Sequence, residues 1–255
     1  MRLRLTRNVP RFTRLARGAL LAFLILPWFA EGQGRAQQGL AEVPYNGKVT
    51  FTRIRYGSSG FRRGGGAWAH DYPNADRHMS TLLEYLTTIP MNVHGTNVFD
   101  LDDPEIFRHP IIYLSEPGFW GMNEEEAYGL RDYLLKGGFL ILDDFEREQW
   151  HNMEAQLQRA LPELRLIEIG PEHPVFKSFF QIENIYVPHA MYQYKPSYFA
   201  LFENNDPSRR IMALVNFNSD LAEYWEWSDQ NFFPMDLSNE AYKLGVNYIL
   251  YGLTH

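Results

Sequence analysis

The chain of 255 residues contains no cysteine. That absence excludes disulfides, thiolate metal sites, a cysteine nucleophile and lipid attachment through a cysteine. Internal repeats and low-complexity linkers are missing as well, and the one glycine-rich stretch is GSSGFRRGGG at 57–66. Beyond the N-terminus, an ordered chain is expected. Long hydrophobic runs are also lacking. ALLAFLILPWFA, at 19–30, has twelve residues and a proline at Pro27, whereas a bilayer span needs roughly 20. Finally, basic residues are scarce over most of the length. Of 24 basic and 31 acidic residues, the first 36 positions hold seven and one, leaving 17 against 30, a net charge of −13, for 37–255. A domain this acidic offers phosphates no clustered Lys or Arg, so no nucleic-acid partner is expected. Neutral or cationic ligands and metal ions fit that charge better.

What is present begins with a basic leader. Arg2, Arg4, Arg7, Arg11, Arg14 and Arg17 precede the apolar run, and a polar stretch ends in GRA at Ala36. Basic region, short apolar region and small-x-small site read as a secretory signal peptide over 1–36. The expected location is outside the cytoplasm, in the periplasm. The alternative is an uncleaved N-terminal segment anchored in the inner membrane, which would be the sole membrane contact. Residues 37–255 then form a single α/β domain. With 18 Phe, 15 Tyr and 6 Trp in a chain that is 45% hydrophobic, the material for one sizeable core is ample.

Within 37–255, β-rich apolar runs alternate with helical patterns. KVTFTRIRY (48–56), IIYL (111–114), FLIL (139–142), LRLIEI (164–169), SYFALFE and RIMALVNF read as strands. ADRHMSTLLEYLTT (75–88), NEEEAYGLRDYLLKGG, QWHNMEAQLQRAL and NEAYKLGVNYILYGL read as helices. In the second helix Asn123 is placed to cap, three glutamates occupy the first turn, and Gly137 supplies a left-handed stop. Strands alternating with helices predict one open three-layer α/β sandwich with a mostly parallel sheet.

That topology locates a site. Residues 111–142 have the size of a right-handed strand–helix–strand crossover, so IIYL and FLIL point the same way. IIYL runs into Ser115-Glu116 and FLIL into Asp143-Asp144, so two strands deliver acids to one edge, about 4.8 Å apart if they are neighbours. The carboxyl edge of a parallel sheet is where open α/β folds bind ligands. Asp143 and Asp144 point to opposite faces while the strand stays extended, so at most one of them faces a given crevice, and Asp144 has the alternative of capping the next helix.

Other candidates surround this pair. AWAHDYPNADRH (67–78) carries Trp68 and, beside it, His70, Asp71, Asp76 and His78, four donors suited to a divalent ion in a spacing that matches no zinc motif; Asp76 is equally an N-cap. No cofactor motif is identified, although the chain admits a divalent metal. FRRGGGAW lacks a preceding strand and the phosphate-loop fingerprint, and reads better as a surface loop or lid. His173, in GPEHPVF, follows a strand and is expected at the same edge. NFNSD (216–220) brings Asn218 and Asp220 to another strand end, while Ser219 lacks a nucleophile-elbow context. Trp225 and Trp227 have the shape to stack on a sugar ring, or simply to pack.

Taken together, HDYPNADRHM, LRDYLLKGGFLILDDF, EHPVF, NSDL and KLGVNYILYGL resemble the bacterial domain of unknown function family 4159 over residues 46–253. That family is grouped with the class I glutamine amidotransferase-like fold, near the trehalose-utilisation ThuA-like proteins. The resemblance implies a flavodoxin-like sandwich and brings no established activity. Amidotransferases attack glutamine with a cysteine at a strand-to-helix elbow, and without cysteine that chemistry is excluded here.

Three functions stay open. An exported domain binds a small polar molecule, such as a carbohydrate, with Asp71, Glu116, Asp143, Asp144, Asp76, Asn218 and Asp220 accepting hydroxyls and Trp68 or Trp225 stacking. A hydrolase or isomerase acting on a sugar-like substrate uses Glu116 and Asp143 as acid and base, with His173 as a further proton carrier. A structural protein of the cell envelope, its protein partner unknown, uses the same acids only as solvated loop residues.

Overall fold

The computed structural model describes residues 42–58 and 66–255; the leader expected at 1–36 and the FRRGG portion of the glycine-rich loop lie outside the described residues. The strands are β1 (Thr52–Ile54), β2 (Gly57–Ser58), β3 (Asn97–Phe99), β4 (Ile111–Ser115), β5 (Trp120–Gly121), β6 (Phe139–Asp143), β7 (Leu166–Ile169), β8 (Ser197–Phe202) and β9 (Ile211–Phe217). The α-helices are α1 (Asn74–Leu86), α2 (Glu124–Leu135), α3 (Gln149–Ala160), α4 (Leu221–Glu226) and α5 (Met235–Thr254). Seven strands form one sheet in the order β3-β1-β4-β6-β9-β8-β7, and β2 and β5 form a separate antiparallel ribbon. β3, β1, β4, β6 and β9 run parallel, while β8 is antiparallel to both of its neighbours. Counted in chain order, the five parallel strands stand as 2-1-3-4-5, the flavodoxin-like order, whose ligand crevice opens outside the carboxyl strand ends.

The sheet is covered on both faces, which is why β4 and β6 are apolar without interruption. Ile112, Leu114, Leu140 and Leu142 pack with Leu130 and Leu134 of α2 and Met153 and Leu157 of α3. The alternate residues Tyr113, Phe139 and Ile141 pack with Met79 and Leu83 of α1 and Leu244 and Tyr248 of α5. Each fully buried aliphatic or aromatic side chain contributes roughly 1.5–3 kcal/mol. Among the described residues, no helix is long and apolar enough to cross a membrane.

Local signals act as expected around α2. The Asn123 side chain accepts from the Glu126 N–H at 2.8 Å, and the Glu126 carboxylate accepts from the Asn123 N–H at 2.7 Å, a complete capping box. Gly137 takes φ +112° and turns the chain into β6. Elements without a periodic signature, β3 and α4, had no counterpart in the pattern reading, being three and six residues long. Among the described residues the longest irregular stretch, 170–196, holds one 3-10 turn, Pro174–Lys177. Buried Asn247 of α5 pins it: its Oδ1 accepts from the N–H groups of Phe179 and Phe180 at 3.0 and 2.8 Å, and its Nδ2 donates to the Phe180 carbonyl at 2.9 Å.

Candidate functional site

β4 and β6 are immediate neighbours, with Ser115 opposite Asp143. Glu116 and Asp144 therefore leave the sheet side by side. Asp143 points back to the face covered by α1, α4 and α5. Its Oδ2 accepts from the Tyr113 hydroxyl at 2.8 Å and from the N–H groups of Leu221 and Ala222 at 2.9 and 3.2 Å, and its Oδ1 accepts from Asn216 at 3.0 Å. This carboxylate ties β4, β9 and the start of α4 together and lines no cavity with Glu116.

Asp144 turns to the cavity. Its Oδ2 lies 2.7 Å from His70 Nδ1 and accepts from Ser115 Oγ at 3.4 Å. Its Oδ1 faces His189 Nε2 at 3.5 Å, and the same imidazole nitrogen stands 3.2 Å from Glu146. His70 Nδ1 is also 3.6 Å from Asp71 Oδ1 and 3.7 Å from Glu116 Oε1. Asp220 caps α4, accepting from the Glu223 N–H at 3.0 Å. The cavity measures about 430 Å³; its walls carry Glu116, Asp144, Glu146, Asp220 and Glu223 with His70 and His189, and among the described residues no Lys or Arg. Phe119, Met191 and Tyr192 supply an apolar wall.

His70 reaches this place through Arg53. The Arg53 guanidinium, buried in β1, donates through Nη1 to the carbonyls of Trp68 and His70 at 3.0 and 2.6 Å. It is itself held by Asp76, Nη2 to Oδ1 at 2.6 Å and Nε to Oδ2 at 3.3 Å, and both side chains are fully buried.

Three cluster acids sit in the left-handed backbone region: Asp71 at φ 61°, Glu116 at 47° and Asp144 at 64°. Aspartate tolerates that region through local hydrogen bonding, whereas a glutamate there is a costlier choice. Such conformations concentrate where strand ends must aim side chains at a common point.

The electrostatics are unequal. Burial opposes charge on Asp144, yet the neighbouring His189 and His70 more than reverse this and bring its carboxyl down to about 2. Burial likewise works against the His70 imidazolium, but the hydrogen bond to Asp144 and the charges of Asp71, Asp144 and Glu116 push it up to about 10. Asp71 is raised well above the usual carboxylate range, by burial first, against the charge of His70 and with those of Asp144 and Glu223. Asp220 is raised too, by burial and then by the charges of Asp144, Asp71 and Asp143. Asp144 is thus held ionised in the cavity wall, beside Asp220 in the same wall and Asp71 buried behind it, both raised toward the neutral form.

Of the residues anticipated from the sequence, Glu116, Asp144 and Asp220 line the cavity, and Asp71 lies buried against His70. Asp76 is the counter-ion of Arg53. Asn218 is a turn residue, accepting from the Arg147 N–H at 3.2 Å and donating to the Lys195 carbonyl at 3.3 Å. Trp68 packs on Tyr72, and Trp225 is core, against Tyr113 and Tyr242. His78 bonds the Trp225 carbonyl at 2.8 Å, away from the cluster. His173 is not at the carboxyl edge. The chain doubles back after β7, and the His173 ring packs on Phe202 and Tyr251 at the opposite end of the strands. His189, Glu146 and Glu223 escaped the pattern reading. A stretch of 27 residues between two strands with no periodicity of its own, 170–196, was the available pointer to His189, because such long connections are usually functional.

A second cavity, about 350 Å³, lies beside α1 and α5, with Leu82, Leu86, Trp227 and Phe233 in its walls. It gathers no cluster of acids and histidines.

The model of a family described as Domain of unknown function (DUF4159) matches residues 50–253 of this chain. No curated protein matches it.

Proposed function

The chain belongs to that family of domains of unknown function, and from this premise we propose that it is an exported domain binding a small polar ligand, carbohydrate-like in chemistry, in the carboxyl-edge cavity. The observation that carries the reading is the convergence of Glu116, Asp144, Glu146, Asp220, His70 and His189 on about 430 Å³. Acceptor-rich walls that carry no Lys or Arg among the described residues suit hydroxyl groups or a cationic group and disfavour phosphates. Tyr192 and Phe119 offer ring faces of the kind that cover a sugar's apolar side. Export is supported by the basic and apolar leader, with inner-membrane anchoring as the alternative. Kinship with the class I glutamine amidotransferase-like proteins, near the ThuA-like ones, is supported by the 2-1-3-4-5 strand order and extends to the fold, not to cysteine chemistry.

A second reading, a carboxylate-dependent hydrolase or isomerase on a sugar-like substrate, is favoured by one feature. His70 Nδ1 lies 2.7 Å from Asp144 and 3.7 Å from Glu116, so groups able to move a proton adjoin one another.

Thermal unfolding of the full chain against mono- and disaccharides, polyols and amines tests the first reading. A ligand at about 100 times its Kd adds roughly 2.7 kcal/mol, or about 5–10 °C for a domain of this size. The shift is expected to saturate and to vanish in Asp144→Asn. A flat panel, or an undiminished shift in that variant, overturns the reading. Product release abolished by Glu116→Gln would move the assignment to the second.

A further inference from the structure

We propose that His70, Glu116 and Asp144, closed on the buried side by Asp71, form a site for one divalent cation, through which the polar ligand is held. The proposal takes the cavity as the ligand's place, as argued above, and names what anchors the ligand there.

Geometry carries it. His70 Nδ1, a Glu116 oxygen and an Asp144 oxygen all lie within 4.8 Å of one another. Around His70 Nδ1 the acid oxygens stand at 2.7 Å (Asp144), 3.6 Å (Asp71) and 3.7 Å (Glu116). Ligand atoms about 2.1 Å from a common ion are roughly 3.0–3.4 Å apart. The acid oxygens around His70 Nδ1 are thus spaced close to what a shared ion requires.

Asp71 supplies an independent observation. It is 4% exposed, and neither carboxylate oxygen has a hydrogen-bond partner. A single proton on His70 Nδ1 serves Asp144 and leaves Asp71 without a donor. A cation beside His70 would give those oxygens a partner and let Asp71 carry its charge in a buried position, where an uncompensated carboxylate is costly.

Of the other acid–histidine clusters, the one of His70, Asp71 and Glu223 shares His70 and Asp71 with this site. Asp144, His189 and Asp220 also approach within 4.8 Å, but the Met191 N–H donates to His189 Nδ1 at 3.2 Å. With Nδ1 accepting, a ring proton sits on Nε2, the nitrogen facing Glu146 and Asp144, which leaves no lone pair there for a metal. His189 Nε2 stands between Glu146, at 3.2 Å, and Asp144 Oδ1, at 3.5 Å, and Asp144 Oδ2 faces His70. One imidazole among carboxylate oxygens, without thiolates, suits a first-row ion such as Mn²⁺ better than Ca²⁺, which takes six to eight oxygens. With so few protein ligands, positions remain open toward the cavity for vicinal hydroxyls.

The test uses the full chain stripped with EDTA and titrated with MnCl₂, free Mn²⁺ being read by electron paramagnetic resonance and melting followed in parallel. One Mn²⁺ per chain is expected, with affinity falling at least tenfold in each of Asp71→Asn, Glu116→Gln and His70→Ala. In EDTA, Asp71→Asn and Glu116→Gln should melt at or above the parent temperature, since neutralising one acid relieves repulsion; a loss of binding then cannot be a loss of fold. No binding at millimolar Mn²⁺, or binding unchanged in these variants, overturns the proposal. If Mn²⁺ fails while a sugar shift persists and is lost in Asp144→Asn, the cation is refuted and the ligand reading stands. If Mn²⁺ binds at these residues and no sugar shifts the protein with or without it, the cation site stands and the ligand reading falls.

Discussion

Removing the charge of Asp76 should unfold this domain far more readily than removing that of any exposed acid. Arg53 and Asp76 are both fully buried and joined by two hydrogen bonds, at 2.6 and 3.3 Å. Asp76 Oδ2 also accepts from Thr96 Oγ1 at 3.3 Å, and the guanidinium lies 5.0 Å from the Tyr113 ring centre. Breaking a buried pair by neutralising one partner costs about 3–5 kcal/mol, because the survivor remains desolvated. A domain of 150–250 residues loses about 2–4 °C per kcal/mol, so Asp76→Asn should melt about 6–20 °C lower by circular dichroism. The double variant Arg53→Met/Asp76→Leu should recover most of that loss, since apolar residues of similar volume often replace a buried pair without penalty. It should not recover the site, because Arg53 Nη1 also holds the Trp68 and His70 carbonyls. Ligand- or Mn²⁺-induced shifts should therefore stay weak in the double variant although its stability returns. A fall below about 2 °C in Asp76→Asn, or a double variant less stable than either single one, would refute this account of the pair.

Two further outcomes test the fold. Gly129→Ala, inside α2, should destabilise the domain in urea by several kcal/mol, although alanine is favoured over glycine in a helix by about 1 kcal/mol; a methyl group there would overlap the backbone carbonyl of Leu101. His109 is buried, and that burial lowers its affinity for a proton. Below about pH 6.5 the unfolded chain takes up a proton more readily than the folded one, so the His109 contribution is complete above that pH and is lost as pH falls through the depressed folded value. Denaturant midpoints measured from pH 7.5 to 5 should fall less steeply in His109→Gln than in the parent.

The amino-acid pattern determined a good deal unaided. Uninterrupted apolar runs at 111–114 and 139–142, separated by an amphipathic helix with its cap and its glycine stop, are enough to place two parallel strands and to send Glu116 and Asp144 to one edge. Handedness and strand direction follow from local chirality, which every residue carries. The acid excess of 37–255 and the lack of cysteine likewise follow from composition and exclude whole classes of chemistry.

Which acid does what was decided only by packing. Asp143 and Asp144 are indistinguishable as text. One meets four donors on the face of α4, while the other meets two imidazoles from segments 74 and 45 positions away. Asp76 reads as a helix cap and becomes the partner of Arg53, 23 positions earlier, because both were buried at the same depth. His173 follows a strand end, yet the chain doubles back and carries it to the far edge. His189 lies in a stretch without periodicity, its place set by its N–H bond to the Asn218 carbonyl at 3.0 Å and by the Ser219 hydroxyl on the Val187 carbonyl at 2.8 Å. Periodicity records which side of an element is buried. It does not record which distant segment arrives there, and a cluster whose charges belong to three strand ends, the segment before α1 and one long loop exists only once the chain has closed.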